Sequence, residues 1–382
     1  MGSNLADSNY EQSYFRNRNL NFLNKSTYWS SRWRAGLIRL LERILIGVNI
    51  SDRLAGDSTN LVHLPSLANQ ILEISLFENA TPSNTIFINN SNSLFPNLPL
   101  ISNNRSTLKI LIKNANVDLE SGLIRLDNGT ILEEALPQWQ QLINAGGLVD
   151  SYRNLGKSLP SLEGRCTFLP VSNYYYHTLI ENLPAILKLH KTNPELKILV
   201  KKDAPGWVYE MLDYFSVPFK CCEHRFVKIS ELEVLTSSRG IASTDVDALR
   251  SKLAGSNRNI KTRLILTRGN LPRGNPAQEK ELYSLLKGFG FTEFDAAGLT
   301  FSQQVNIYSN AEFIVGFAGA ALANIVWASP NTKVFEIFNH PYRINVYASL
   351  ASAANLDYAS SEWQESQVMP ATEILDFFEL GS

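Results

Sequence analysis

The stretch AEFIVGFAGAALANIVWASPNTKVFEIF, residues 311–338, carries the clearest architectural signal in the chain. A short apolar run ends in small residues and passes directly into GAALANIVWAS, a pattern typical of a helix. The dipeptide Pro330-Asn331 then predicts a turn into a second apolar run, KVFEIF. Short apolar strands that alternate with helices indicate βαβ units and a parallel sheet. This stretch therefore predicts an α/β fold.

The same alternation extends outward from this stretch. Upstream, RLILTRG predicts a strand, and KELYSLLKGFGF and QQVNIYSNA predict helices. An earlier block has the predicted strands RCTFLPVS and LKILV, with two predicted helices, NYYYHTLIENLPAILKLH, bent at Pro184, and GWVYEMLDYF. A β-rich region from Ile86 to Leu126 precedes them. Two α/β blocks predict two Rossmann-like domains facing a central cleft, with ligands outside the carboxyl ends of the strands.

Changes in sequence texture place the domain boundaries. We expect a polar segment with an amphipathic helix in residues 1–56, and the two Rossmann-like domains in residues 57–250 and 251–345. Residues 346–382 include INVYASLASAANL and are predicted to form a helical segment that returns to the first domain.

Composition excludes several classes of protein. The chain has 35 Lys and Arg against 36 Asp and Glu, whereas a nucleic-acid binder usually has a basic excess. Hydrophobic residues make up 44%, which argues against disorder. Three cysteines form no disulfide framework, and the five histidines have no metal-ligand spacing. Since the sequence shows neither a long apolar span nor a secretory signal, we predict a cytoplasmic protein.

Residues 25–48 form a basic amphipathic pattern, with five basic residues against one glutamate. Apolar residues recur at helical spacing, and Trp29 and Trp33 lie at the start of the pattern. This combination is typical of a helix that lies on a membrane surface, so residues 29–48 predict peripheral membrane association at the inner face. The alternative is a helix packed on its own domain.

The small residues between Val315 and Asn324 predict a tight turn from strand to helix. Small residues let a ligand approach the backbone, and the N–H groups at a helix start, here near Gly319 and Ala320, favour a phosphate. The stretch is neither a Walker loop nor a G-x-G-x-x-G fingerprint. Tight packing between helix and strand explains the small residues equally well.

Three charged residues accompany the predicted strands of the second block. Glu336 lies in an apolar run and can accept hydrogen bonds from a ribose; structural pairing is the alternative. Arg268 follows the run at residues 264–266, and Arg273 comes five residues later. Guanidinium groups at a strand exit suit phosphate binding, although a solvated loop is the commoner position for an arginine.

His177 and Glu181 are four residues apart, so a helix places both on one face. A carboxylate or imidazole aimed into a cleft can remove the proton from an attacking hydroxyl. Tyr175 and Tyr176 supply rings and hydroxyls that suit a sugar. A satisfied His–Glu hydrogen bond on a core helix is the alternative interpretation.

Taken in order, these segments resemble glycosyltransferase family 61, which includes bacterial capsular polysaccharide enzymes, plant xylan-decorating transferases and animal O-linked N-acetylglucosaminyltransferases. The resemblance spans roughly residues 115 to 340 as a series of short motifs. The motifs that carry it are Leu126-Asp127-Asn128-Gly129, Asn173 to His177 with Glu181 and Leu183-Pro184, Thr267-Arg268 to Arg273, Phe301 to Gln304, Val315 to Asn324, and Val334-Phe335-Glu336.

The resemblance implies a GT-B fold and inversion at the anomeric carbon, with a nucleotide-sugar donor, expected to be a UDP-sugar, and no required metal or other cofactor. It assigns the glycan acceptor to residues 57–250 and the donor to residues 251–345. Glu181 is the implied base, with His177 as the alternative. The implied donor contacts are Arg268, Arg273, Gly319, Ala320, Asn324 and Glu336, and the implied substrate contacts are Tyr175, Tyr176, Gln304 and Ala318.

The chain departs from the family pattern at Ala318, where the pattern has a histidine before Gly-Ala. A methyl group neither donates a hydrogen bond nor carries charge. Three explanations stay open: divergence to another donor, a relative that binds nucleotide or glycan without turnover, and an engineered substitution. A pyruvyltransferase with a GT-B-like fold is a further alternative.

Overall fold

The computed structural model describes residues 70–78, 107–127, 158–171, 175–236, 241–253, 261–267, 276–338, 345–363 and 369–380. These residues belong to one compact unit, Ile50–Ser382. The amphipathic pattern at residues 29–48 lies outside the described residues, as do Arg268 and Arg273. No helix in the described ranges is long and apolar enough to cross a membrane.

Within the described ranges, the first sheet contains seven strands. They are β1 (Ile71–Glu78), β2 (Thr107–Asp118), β3 (Ile124–Arg125), β4 (Ser161–Phe168), β5 (Lys197–Lys201), β6 (Phe219–Cys222) and β7 (Phe226–Leu235). Their order is β1-β2-β7-β4-β5-β6, with β3 paired to β2. Strands β7, β4, β5 and β6 are mutually parallel, whereas β1 and β2 are antiparallel to their neighbours.

The order in which the chain adds the four parallel strands of this sheet reverses at β4. Strand β5 pairs with one side of β4, and β7 returns to pair with the other side. In chain order the arrangement is third, second, first, fourth, which matches the first four strands of the Rossmann order 3-2-1-4-5-6. The junction of β4 and β7 is therefore a topological switch point, where ligands of open α/β sheets bind.

In the part of the chain that the structure describes, the second sheet contains five parallel strands: β8 (Thr262–Leu266), β9 (Thr292–Phe294), β10 (Ala311–Phe317), β11 (Lys333–Phe338) and β12 (Asp357–Glu362). Their order is β12-β11-β10-β8-β9. In chain order this is the flavodoxin-like arrangement 2-1-3-4-5, whose switch point lies between β8 and β10.

Seven α-helices connect and cover the strands in the described ranges. They are α1 (Leu183–Thr192), α2 (Gly206–Phe215), α3 (Ser243–Arg250), α4 (Pro276–Gly288), α5 (Phe301–Ser309), α6 (Val346–Ala353) and α7 (Ala371–Phe377). A π-helix, His177–Asn182, runs directly into α1. Pro184 lies in the first turn of α1, and the predicted bend there stays a prediction.

Two elements differ from the sequence predictions. The predicted helix after β10 is a 3-10 helix, Ala320–Trp327, in which every residue from Leu322 onward is buried. Packing into the core, rather than helix propensity, therefore sets its geometry. The segment 346–382 is not helical throughout, because Asp357–Glu362 forms β12 and pairs with β11.

One hydrophobic core joins the first and second sheets. Its buried members come from α1, α2 and α3 as well as from β8, β10, α5, the 3-10 helix and α6. Aromatic rings mark the boundary between them: Phe215 of α2 lies 6.3 Å from Trp327 of the 3-10 helix. A second core covers the opposite face of the second sheet and includes Trp363 and Phe378. The mixed α/β class is confirmed, whereas the two-domain GT-B layout and its boundaries stay predictions.

Candidate functional site

The π-helix places His177 and Glu181 side by side. His177 Nδ1 lies 2.7 Å from Glu181 Oε2, within hydrogen-bond distance. Their side chains are 16% and 8% exposed. The predicted shared face is therefore confirmed, and so is the His–Glu contact. Because both groups carry or exchange protons, the contact can orient the carboxylate and share a proton with it.

Glu181 lines a pocket of about 60 Å³ at the switch point of the first sheet. Thr167 and Phe168 line it from the carboxyl end of β4, and Val234 and Leu235 line it from the carboxyl end of β7. Further lining residues are Thr107, Ile124, Pro170, Asn182, Ala185, Ile186, Lys188, Leu189, Thr236 and Asp245. The pocket thus lies at the edge of the sheet where the topology predicts a ligand site.

Lys188 of α1 lies in the wall of this pocket with its ammonium group fully engaged. Its Nζ atom is 2.7 Å from Glu78 Oε2 and 2.7 Å from Asp245 Oδ1. A third donor reaches Thr244 Oγ1 at 3.1 Å. The cluster ties α1 to β1 and α3 and fixes the wall of the pocket.

A second edge, at the switch point of the second sheet, carries the small-residue turn. Ala318 follows β10 and donates its backbone N–H to the Ile337 carbonyl at 2.9 Å. Ala318 and Gly319 are half-buried, and Ala320 is exposed. Strand β8 ends beside β10, with Leu266 opposite Gly316. The turn is therefore at the surface, where the sequence predicted contact with a phosphate.

Packing explains one of the small residues in this stretch. A Cβ added at Gly316 would lie 3.0 Å from Leu266 Cδ1 and 3.1 Å from Leu266 Cβ. Glycine thus fits the close approach of Leu266 in β8 to β10, and a larger residue would crowd that side chain. The packing interpretation holds for Gly316, while the exposed Ala320 has room for a ligand.

A hydrogen bond between Tyr175 and Asn324 connects the sheet edge near Glu181 to the edge that carries the Ala318 turn. The Tyr175 hydroxyl donates to Asn324 Oδ1 at 2.8 Å, and Trp327 Nε1 donates to the same oxygen at 3.0 Å. The Asn324 amide donates to Gln304 Oε1 at 3.0 Å. Gln304 in turn donates to the Leu299 carbonyl at 3.1 Å. Three residues from separate sequence motifs therefore meet in one network that links the start of the π-helix to the 3-10 helix.

Residues 175–335 match the sequence profile of the Glycosyltransferase 61 family. The chain carries a glycosyltransferase 61 domain. The resemblance read from residues 115 to 340 is thus confirmed over the part that contains the His177–Glu181 pair and the Ala318 turn. A search of curated proteins finds no match to the chain.

Three residues that were predicted to contact a ligand form hydrogen bonds with one another inside the glycosyltransferase 61 domain. The amide of Asn324 is engaged on both sides by Tyr175, Trp327 and Gln304, and Asn324 is 1% exposed. Burial raises the pKa of the Tyr175 phenol above its usual range, so this hydroxyl stays protonated and serves as a donor. In this structure Gln304 and Asn324 are buried and Tyr175 is half-buried, and their predicted ligand contacts stay predictions.

Tyr176 packs its ring edge-on against His177, with 5.5 Å between ring centroids, and against Tyr347 at 5.6 Å. Burial raises its pKa well above the usual value, and the nearby Glu181 carboxylate acts in the same direction. Tyr176 therefore helps to hold the His177 ring in its orientation. The predicted stacking of this ring on a sugar stays a prediction.

Glu336 is completely buried in β11. The Tyr358 hydroxyl of β12 donates a short hydrogen bond to its Oε2 atom. Burial, followed by the Glu336 charge, raises the pKa of Tyr358 well above the usual value. The predicted ribose contact stays a prediction, since the partner seen here is Tyr358.

Sequence reasoning did not single out Lys188 in the family 61 domain. One signal was available, because Lys188 interrupts the apolar stripe of LPAILKLH in α1. A lysine on a buried helix face requires partners. Those partners, Glu78 and Asp245, are 110 and 57 residues away in sequence, so no local pattern reveals them. Among the described residues, no group of three His, Cys, Asp or Glu side chains has the arrangement of a metal site.

Proposed function

We propose that the protein is an inverting, metal-independent glycosyltransferase that moves a sugar from a nucleotide-sugar donor to a hydroxyl of a glycan acceptor. One observation carries the proposal: Glu181, in contact with His177, lines a pocket at the carboxyl ends of β4 and β7. The glycosyltransferase 61 match supplies the reaction class.

Inversion requires a single displacement at the anomeric carbon. The acceptor oxygen forms a bond to that carbon while the bond from the carbon to the donor diphosphate breaks. Glu181 takes the proton of the attacking hydroxyl, and His177, 2.7 Å away, orients the carboxylate. His177 is the alternative base, with Glu181 then orienting the imidazole.

The leaving diphosphate needs positive charge and N–H donors. We assign this role to Arg268 and Arg273, which follow β8 in the sequence, together with the start of the 3-10 helix at Gly319 and Ala320. The first N–H groups of a helix have no partner within it, and they favour an anion. A UDP-sugar is the proposed donor, with its ribose toward Glu336.

The proposed cellular setting is polysaccharide biosynthesis of the bacterial capsular type, on the cytoplasmic side of a membrane. The basic amphipathic pattern of residues 29–48 supports this setting, because such helices bind anionic lipid surfaces. Co-sedimentation with anionic liposomes, comparing the full chain with a truncation that begins near Gly56, tests this part. Equal partitioning of the two chains would remove the membrane assignment.

Donor binding is the first test of the proposed function. A ligand that binds only the folded state raises the melting temperature. We expect one of UDP-, GDP- or CMP-sugars to raise the melting temperature of the full chain, and calorimetry to give saturable binding. If none of these donors binds by either method, the proposed function is wrong.

A second candidate function is binding without turnover, and Ala318 is the observation that favours it. The Ala318 side chain stands at the end of β10 beside the proposed diphosphate site and offers only a methyl group. The test is to compare transfer by the wild-type chain and by Ala318→His. Donor binding by both chains in calorimetry, with turnover only in the variant, would establish that the chain with Ala318 binds its donor without transferring it.

A further inference from the structure

Arg250, the last residue of α3, reaches three backbone carbonyls at once. Its Nε donates to the Val326 carbonyl at 2.7 Å and its Nη1 to the Ala354 carbonyl at 3.0 Å. Its Nη2 donates a short hydrogen bond to the Ala328 carbonyl. These partners are 76, 104 and 78 residues away in sequence, so the contact is wholly tertiary.

All three carbonyls lie at the ends of helices. Val326 is in the last turn of the 3-10 helix and Ala328 follows that helix, while Ala354 follows α6. The last carbonyls of a helix lack partners within it and carry partial negative charge. A planar guanidinium with several donors in a fixed fork satisfies them better than a single ammonium group does. Arg250 therefore caps the C-terminal ends of two helices with one side chain.

Arg250 lies on the side of the shared core that the helices of the first sheet form. Helix α3 packs through Val246 and Leu249 into the core that also holds α1 and α2. Among the described residues, two side chains from elements of the first sheet thus form hydrogen bonds with the 3-10 helix. One is Tyr175, which bonds to Asn324 at 2.8 Å, and the other is Arg250 at the end of the helix.

We propose that Arg250 is a positioning residue for the donor: it pins the end of the 3-10 helix whose beginning forms the diphosphate-binding turn. The donor part of this inference rests on the proposed function. Because the helix is only eight residues long, displacement of its end moves its start, Ala320, as well. Small displacements of binding groups change rates and affinities strongly.

The test uses the full chain with Arg250→Met, Arg250→Lys and a matched control, Arg263→Met. Arg263 also donates to a carbonyl, that of Phe289 at 2.7 Å, and lies over the Phe313 ring, 5.0 Å from its centroid. Phe289 follows α4 and Phe313 is in β10, so neither of these contacts reaches the first sheet. Two readouts are needed: the KM values for donor and acceptor, and hydrogen exchange of the peptide that covers residues 320–328.

We expect Arg250→Met to raise the donor KM about tenfold, equivalent to the loss of about 1.4 kcal/mol, while the acceptor KM stays within about twofold. Exchange of the 320–328 amides should become about tenfold faster. The lysine variant should be intermediate, since one ammonium group reaches fewer carbonyls. Arg263→Met should change neither the donor KM nor this exchange.

Equal exchange at residues 320–328 in the wild-type chain and Arg250→Met would overturn the pinning role. Faster exchange with an unchanged donor KM, or with donor and acceptor KM raised alike, would overturn the positioning role. Absence of donor binding to the wild-type chain would overturn the proposed function and with it the donor role. The exchange measurement would then still decide whether Arg250 pins the helix.

Discussion

The hydroxyl of Tyr175 and the side-chain oxygen of Asn324 lie 2.8 Å apart, although 149 residues separate them in sequence. Tyr175 immediately precedes the turn that carries His177, and Asn324 lies in the helix that follows the Ala318 turn. This one hydrogen bond therefore connects the proposed base to the proposed diphosphate site. Trp327 donates to the same oxygen and holds it in place.

Replacement of Tyr175 by phenylalanine tests the value of this link. The change removes one hydrogen bond of a buried network, so we expect Tyr175→Phe to lower the free energy of unfolding by about 1–2 kcal/mol. Urea denaturation measures the loss. Tyr209→Phe is the control, since its hydroxyl donates to the Lys201 and Lys202 carbonyls beside the first sheet and makes no contact with the 3-10 helix. Only Tyr175→Phe should also weaken donor binding; an equal effect of both changes would refute the link.

Gly316→Ala tests the close approach of β10 to β8. The new Cβ would lie 3.0 Å from Leu266 Cδ1 and 3.1 Å from Leu266 Cβ, so the Leu266 side chain would have to shift. Overpacking of this kind destabilises a protein by about 1–3 kcal/mol. Thermal denaturation should show the loss for Gly316→Ala but none for Gly288→Ala, because nothing lies within 4 Å of a Cβ at Gly288. A variant as stable as the wild type would contradict the packing described for Gly316.

Lys188→Met tests the pocket wall. Removal of the ammonium leaves the carboxylates of Glu78 and Asp245 without their shared cation, and breaking a buried ion pair costs about 3–5 kcal/mol. The control, Lys202→Met, removes an exposed pair with Glu223 and should cost at most about 1 kcal/mol. Chemical denaturation compares the two. Similar losses in both variants would mean that the Lys188 cluster does not stabilise the fold as the structure implies.

Cys166 gives a prediction in alkaline solution. Burial raises the pKa of this thiol from 9.0 to about 11, so the folded chain holds the thiol proton more tightly than the unfolded chain. The resulting stability is fully present below pH 9 and is lost as the pH rises through 11. Denaturation curves at these two pH values should show a smaller alkaline loss for Cys166→Ala than for the wild type. An identical loss in both chains would show that Cys166 does not titrate in this range.

The sequence predicted the parallel strands well because their apolar runs are short and bounded by clear turn signals. RLILTRG, AEFIVGF and KVFEIF all contain strands of the second sheet. The 3-10 geometry of Ala320–Trp327 could not be predicted, since Leu322–Trp327 are buried by tertiary packing that no local pattern specifies. Strand β12 was missed because its DYASSE sequence lacks the apolar pattern of the other strands.

The candidate site was predictable in part for a similar reason. The spacing of His177 and Glu181 follows from helical periodicity, which a π-helix still satisfies. The engagement of Asn324 by Tyr175 and Gln304 depends on contacts across more than a hundred residues on one side and twenty on the other, and no local pattern specifies them. Motif residues assigned to a ligand can therefore be the residues that hold the site together.

Single-turnover transfer by the wild-type chain and by Glu181→Gln tests the central claim most directly. The change keeps the shape of the side chain and removes its ability to take a proton. Loss of a general base lowers the rate by about 10²–10⁴-fold, so we expect that loss in the transfer step, with donor affinity measured by calorimetry unchanged. Transfer by Glu181→Gln at the wild-type rate, with the donor bound equally well, would contradict the assignment of Glu181 as the base.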